Sequence, residues 1–244
     1  MEKGAKKVAV VTGGATGIGA ACVRELAAKG FRVGIHYRSS AAAARSLLAE
    51  IGDGFLLPAD LADIAQIDAM VETLKGQTDR CDLLVNNAGV SLDADMQRMR
   101  IEQFDAQRAV VRGAWYLTKR VLRQYMLRAN SGRIINISSV VGHTGNGGQI
   151  PYTMEKAAMD ALTKSLAREL RGRDILVNSV APGFIATEMT ARLPEEVRTE
   201  ILAGIPLNRM GRPEEVAEVV GFLATAGSYI TGTVIHVNGG LYGG

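Results

Sequence analysis

A short apolar run, Val8 to Thr12, leads directly into Gly13-Gly-Ala-Thr16-Gly17-Ile18-Gly19. An amphipathic stretch from about Ala20 to Lys29 follows and stops at Gly30. So short an apolar run suits a strand buried on both faces of a parallel sheet. Strand, glycine-rich turn and helix in that order bring backbone N–H groups up to a phosphate at the helix N-terminus. Gly13, Thr16, Gly17, Ile18 and Gly19 are the residues expected around that phosphate. The spacing is Gly-x-x-x-Gly-x-Gly, and taken alone it also fits a tight turn that needs positive φ.

The alternation continues along the chain. Strands are expected at Phe31–Tyr37, near Phe55–Leu61, at Asp82–Gly89, Arg133–Ser138, Ile175–Val180 and Thr233–Val237. Helices are expected at Ser40–Gly52, Ile64–Lys75, Gln103–Arg128, Ala157–Arg171 and Pro213–Ala226. This order predicts an α/β Rossmann fold: one doubly wound domain over residues 1–244 with a parallel seven-stranded sheet. Residues 189–209 are the least regular part, broken by Pro194, Gly204 and Pro206, and follow a strand end. A substrate lid belongs there.

The ends of the strands carry the ligand-binding expectations. An acidic residue closing the second strand would accept from a free ribose 2′-hydroxyl. This chain has Tyr37, Arg38, Ser39 and Ser40 there. A cation and two hydroxyls suit a 2′-phosphate, so NADP(H) is favoured over NAD. Asp60, beside Leu61, is placed either to cap the helix from Ile64 or to meet the adenine amino group. Asn87, Ala88 and Gly89 leave an uncrowded backbone where a ligand would lie.

The stretch Ser139 to Lys156 carries the chemistry. Tyr152 and Lys156 are four apart, so on one helix they share a face. An ammonium beside a phenol favours the phenolate. Ser139, at the preceding strand end, adds a hydroxyl. Together they are what a carbonyl oxygen needs when its carbon accepts hydride and it then takes a proton. Four glycines between residues 142 and 148 leave an open loop beside the substrate.

Composition narrows the class. The chain has 47% hydrophobic and 22% charged residues and a net charge of +3, which does not argue for nucleic acid. No apolar run approaches membrane-spanning length. The start leaves no room for a signal-peptide core, so a cytoplasmic protein is expected. Cys22 and Cys81 suit reduced buried thiols. His36, His143 and His236 lack metal-ligand spacing, so no metal is assigned.

Thr12-Gly13-x-x-x-Gly17-x-Gly19, Asn86-Asn87-Ala88-Gly89, Ser139, Tyr152-x-x-x-Lys156, Pro182-Gly183 and Thr187 occur in this order and spacing. The whole chain thereby resembles the short-chain dehydrogenase/reductase family. The runs Asn208–Ala217 and Tyr229–Tyr242 look most like its 3-oxoacyl-acyl-carrier-protein reductases. The resemblance implies NADPH-dependent reduction of a 3-oxoacyl thioester. Tyr152 would act as proton donor, Ser139 would orient the oxygen and Lys156 would hold the nicotinamide ribose. It assigns Pro182, Gly183, the Ile185 backbone and the Thr187 hydroxyl to the nicotinamide end; Thr187 could equally cap the next helix. It also implies a homotetramer, and an acidic carrier protein docking near Arg128 and Arg173. One departure stands out: Val110 occupies the position of the family's fourth catalytic residue, an asparagine. In the family a water in that region relays protons from the lysine to solvent. The departure keeps two alternatives in view, a reductase of another small ketone such as a sugar, a steroid or acetoacetyl-CoA, and a weakly active cofactor-binding protein.

Overall fold

The computed structural model describes residues 6–188, 190–192 and 195–243. Seven strands form one all-parallel sheet: β1 (Val8–Val11), β2 (Arg32–Tyr37), β3 (Gly54–Pro58), β4 (Leu83–Asn86), β5 (Ser131–Ile137), β6 (Asp174–Pro182) and β7 (Val234–Val237). Their spatial order is β3-β2-β1-β4-β5-β6-β7. The chain moves outward from β1 in one direction, then returns and moves outward in the other. The reversal lies between β1 and β4, and a crevice opens at the carboxyl ends of strands at such a point.

Helices cover both faces, as parallel strands require. On one face α1 (Gly17–Ala28) packs with α2 (Ala41–Ile51) and α9 (Pro213–Thr225) around Val23, Leu26, Ile35 and Val220. On the other lie α3 (Ile64–Gln77), α4 (Ile101–Val121) and α7 (Ile150–Glu169), around Ile67, Leu84, Leu117 and Ile134. These side chains are almost wholly buried. A short helix α5 (Leu127–Ala129) ends the α4 region, α6 (Val141–Thr144) is a single turn, and α8 (Glu195–Ala203) lies after β6.

Two local expectations change and one is sharpened. The helix bearing Tyr152 and Lys156 starts at Ile150, two residues before Tyr152, with Pro151 in its first turn. A proline there gives up no internal hydrogen bond. The helix expected over Gln103–Arg128 is not uniform: after Val121 one π-turn, Leu122–Met126, intervenes before α5. Asp60 does not cap α3. Asp63 does, accepting from the Ala65 and Gln66 N–H groups at 2.8 and 3.4 Å.

Candidate active site

Three groups of residues meet at the carboxyl ends of β1, β4 and β5. The first is the turn after β1. Gly13 and Gly17 have φ of +60° and +53°, which side chains disfavour. At Gly19 a Cβ would collide with the Gly13 carbonyl and lie 2.6 Å from Asn87 Nδ2. Thr16 precedes α1 without its side chain capping the helix, so the first-turn N–H groups remain available to an anion. These features fit a dinucleotide pyrophosphate.

The second group closes β4. Thr12 Oγ1 accepts from the Asn87 and Ala88 N–H groups at 2.9 and 3.0 Å. Asn87 Nδ2 donates to the carbonyls of Thr12 and Gly13 at 2.9 and 3.1 Å. The Asn87 amide nitrogen is therefore committed to the glycine turn, and Ala88 and Gly89 offer backbone only. Leu61 is buried and packs against Gly113 of α4. Asp60 spends one carboxylate oxygen on the Ala62 N–H at 2.9 Å. Arg38 lies exposed at the end of β2 and makes no hydrogen bond or ion pair among the described residues.

The third group is the reactive one. Lys156 is buried, and its Nζ donates to the Ile137 carbonyl at 2.8 Å. The same ammonium lies 5.4 Å from the centroid of the Tyr152 ring and beside Gly89. Ser139 is partly exposed, two residues beyond Ile137, so hydroxyl, phenol and ammonium share one end of the sheet. A buried chain of polar groups ties α7 to the strands beneath. Asn86 Nδ2 donates to Thr118 Oγ1 and Asn136 Oδ1, and Asn136 Nδ2 donates to Thr163 Oγ1 at 2.7 Å. Thr163 Oγ1 is also 2.7 Å from Ser179 Oγ.

At the nicotinamide end, Ile185 bridges to Gly211 using its neighbours: Gly211 N–H donates to Phe184 O, and Ala186 N–H to Gly211 O. That leaves the Ile185 N–H outside the bridge. Gly183 is required by packing, because a Cβ there would lie 2.7 Å from Asn238. Pro182 ends β6 and is buried. Thr187 faces Gly17 across the turn and donates its N–H to Thr190 Oγ1 at 2.9 Å. No helix starts on Thr187; a short 3-10 turn, Thr190–Arg192, follows instead.

His36 is a residue whose role the motifs did not reveal. It is buried; its Nδ1 accepts from the Gly13 N–H at 3.0 Å, and Nε2 lies 3.1 Å from Ala59 O. A carbonyl can only accept, so Nε2 carries the proton. Burial lowers the His36 pKa to about 4, which keeps the ring neutral. A polar residue inside an otherwise apolar strand was the available signal. His143 and His236 come together, rings 4.8 Å apart, although no group of His, Cys, Asp or Glu among the described residues is arranged to hold a metal. Cys22 and Cys81 are free, and burial raises both thiols to about 12. Among the described residues no helix is long and apolar enough to cross a membrane.

A doubly wound sheet with a glycine cradle at its switch point and a Tyr–Lys pair beside it defines a Rossmann-type oxidoreductase. The chain belongs to the short-chain dehydrogenase/reductase family: residues 13–242 match the family model described as Enoyl-(Acyl carrier protein) reductase. It is 44% identical over 239 residues to the 3-oxoacyl-[acyl-carrier-protein] reductase FabG of Haemophilus influenzae, covering 97% of this chain and 98% of that one. The FabG of Aquifex aeolicus is 44% identical over 243 residues, and that of Escherichia coli 42% over 240, each with 97% of both chains covered. A crystal structure of a blue fluorescent protein from a metagenomic library, in complex with NADPH, superposes with a TM-score of 0.91. Its identity is 34%, with 97% of this chain and 98% of that one covered.

Proposed function

We propose that the protein reduces the ketone of a 3-oxoacyl thioester, linked to an acyl-carrier protein, to the 3-hydroxyacyl thioester. The observation that carries this reading is the meeting of Ser139, Tyr152 and Lys156 at the strand ends beside the glycine cradle. Bound NADPH supplies the hydride. Tyr152 gives its proton to the developing alkoxide, Ser139 holds that oxygen, and Lys156 holds the ribose side of the site. Arg38, exposed and unpaired among the described residues, is the side chain for the 2′-phosphate. The reductases among the relatives support the substrate class, and the NADPH complex of the structural neighbour supports the cofactor.

The family model's description speaks of enoyl reduction, which adds hydride to a C=C bond. A hydroxyl and a phenol at the same end of the sheet suit a ketone oxygen, which takes up a proton, better than a C=C bond. NADPH oxidation should therefore run with an acetoacetyl thioester and not with a crotonyl thioester. Wild-type turnover by Tyr152→Phe would sink the reading.

The carrier reading has a geometric consequence. Arg173 NH1 donates to Asn130 Oδ1 at 3.3 Å, and both flank the amino-terminal ends of β5 and β6. Ser139 lies past the carboxyl end of β5, so Arg128 and Arg173 stand about 25 Å from it along the strand. A carrier docked on these arginines would serve the site of a neighbouring copy, which agrees with a homotetramer built on α4, α7 and the C-terminal segment. The lid reading rests on α8, which buries none of its residues, and on Arg209, whose two-pronged bond to Glu215 anchors the end of the segment. Met189, Leu193 and Pro194, also part of the expected lid, lie outside the described residues. We place the enzyme in the cytoplasm.

A further inference from the structure

The Ser139 hydroxyl has one weak internal bond: its Oγ accepts the Val141 N–H at 3.4 Å. On either side the Ser138 and Val140 N–H groups donate to Val180 O and Pro182 O, each at 2.9 Å, and tie the segment to β6. The chain then makes the single turn of α6 and runs exposed from Thr144 to Asn146 and Gly147. Its position against α7, which carries Tyr152 and Lys156, is set at two residues of α6. At Gly142 the backbones press together, and a Cβ there would lie 3.0 Å from the Ala157 nitrogen. At His143 a side chain crosses, with Nε2 2.9 Å from Asp160 Oδ2. Among the described residues it is the only side-chain polar link from α6 to α7.

Asp160 follows Lys156 by four residues and Tyr152 by eight, so the three share one face of α7. Asp160 is buried, and a buried carboxylate is costly unless it is partnered. Its Oδ1 has no partner, which leaves His143 to satisfy it through an ion-pair contact that is close but not well aligned as a hydrogen bond. His236 of β7 sets its ring 4.8 Å from that of His143. Ile235 and Val237 pack on the opposite face of the sheet, so alternation sends His236 toward α7. Burial first, then His143, lowers the His236 pKa against the pull of Asp160, which keeps that ring neutral at pH 7 and leaves the carboxylate to His143. Tyr242 stacks on the His143 ring at 5.4 Å, and its carbonyl accepts from Asn238 Nδ2 at 2.9 Å. The His143 imidazole is thus held between a buried carboxylate and the aromatic ring of the C-terminal segment.

We propose that His143 and Asp160 are positioning residues that set the Ser139 hydroxyl against Tyr152 and Lys156. This rests on the ketone-reductase reading above. The pair crosses from the segment bearing the hydroxyl to the helix bearing the phenol and the ammonium. Without it, α6 can rock about its bonds to β6, and Ser139 moves with the turn because its own Oγ bond is weak. The developing alkoxide then keeps its proton donor and loses an aligned hydroxyl. Misplacement of a reacting group by about 1 Å can cost about 100-fold in rate. The glycine cradle after β1 is built from other contacts, so nucleotide binding stays intact. The pair is internal to one chain and acts without access to solvent.

The test is a double-mutant cycle with NADPH and an acetoacetyl thioester, using His143→Leu, Ser139→Ala and the two combined. His143→Leu should lower kcat by about 10- to 100-fold and leave the KM and the titrated affinity for NADPH near wild type. His143→Gln, whose amide can still donate to Asp160, should recover most of that loss. Asp160→Leu, similar in size, breaks the pair from the other helix and should match His143→Leu; it carries the comparison if His143→Leu does not fold. Against the residual rate of Ser139→Ala, adding His143→Leu or Asp160→Leu should change nothing, because each acts through Ser139. A wild-type kcat in either folded leucine variant overturns the proposal. So does a loss that repeats in full in the Ser139→Ala background, or one that falls equally on His143→Gln. Inactive wild-type protein, or Ser139→Ala at the wild-type rate, would instead overturn the ketone-reductase reading.

Discussion

His36 Nδ1 accepts the Gly13 N–H at 3.0 Å, so a side chain from β2 holds the backbone of the phosphate-binding turn after β1. The same ring is pinned on its far side to the Ala59 carbonyl after β3. Three strand ends are thereby fixed by one neutral imidazole.

Stability should depend on that neutrality. With a folded pKa of about 4 against 6.5 for the free side chain, the unfolded chain binds more protons between those values. The contribution is complete above pH 6.5 and is lost as pH falls toward 4. The loss should amount to about 3 kcal/mol. Urea unfolding from pH 7.5 to 4 should show this slope in wild type. His36→Gln should flatten it, and an equal slope in both proteins would remove His36 as its source.

Arg38 should set cofactor preference. Its exposed guanidinium has no partner among the described residues, so replacing it disturbs no bond within the fold. Arg38→Asp should raise the KM for NADPH by about 10- to 100-fold, the worth of a charge-assisted contact. It should also improve NADH, whose free 2′-hydroxyl can donate to a carboxylate. Steady-state kinetics with both nucleotides checks this, and an unchanged preference would show that another residue reads the ribose.

Gly19 should tolerate no side chain. A Cβ would meet the Gly13 carbonyl and the Asn87 amide, both held by hydrogen bonds. Gly19→Ala should cost roughly 1–3 kcal/mol of stability through overpacking and abolish measurable NADPH binding. Calorimetry of folding and nucleotide titration report the two effects separately.

The polar chain under the site should be worth more than its hydroxyls suggest. Thr163→Val removes an acceptor from the buried Asn136 Nδ2 and a partner from Ser179. Leaving those groups unpaired should destabilise the fold by about 1–3 kcal/mol, seen in urea unfolding. A neutral result would mean that the site relaxes around valine.

Arg173→Glu should slow turnover of a carrier-linked substrate while sparing a free thioester. Rim charges act mainly on encounter with a charged partner. Equal slowing of both substrates would remove the arginine from carrier docking.

Much of this protein is legible in the chain itself. Short, largely apolar segments between glycine turns and amphipathic stretches specify a parallel sheet, because strands covered on both faces lose the polar alternation of half-exposed ones. The positive φ of Gly13 and Gly17, and the four-residue spacing of Tyr152 and Lys156, report local backbone requirements. The tertiary structure decided what depends on distant partners. It committed the Asn87 amide to the glycine turn and His36 to Gly13, contacts between residues far apart in the chain. It placed Arg128 and Arg173 at the opposite end of the sheet from Ser139. It also brought Gln107 and Glu155, unremarkable in sequence, to one small cavity with Val110 and Lys156. Local pattern encodes the elements; which polar groups share a buried space is set by packing between elements, and no spacing along the chain records it.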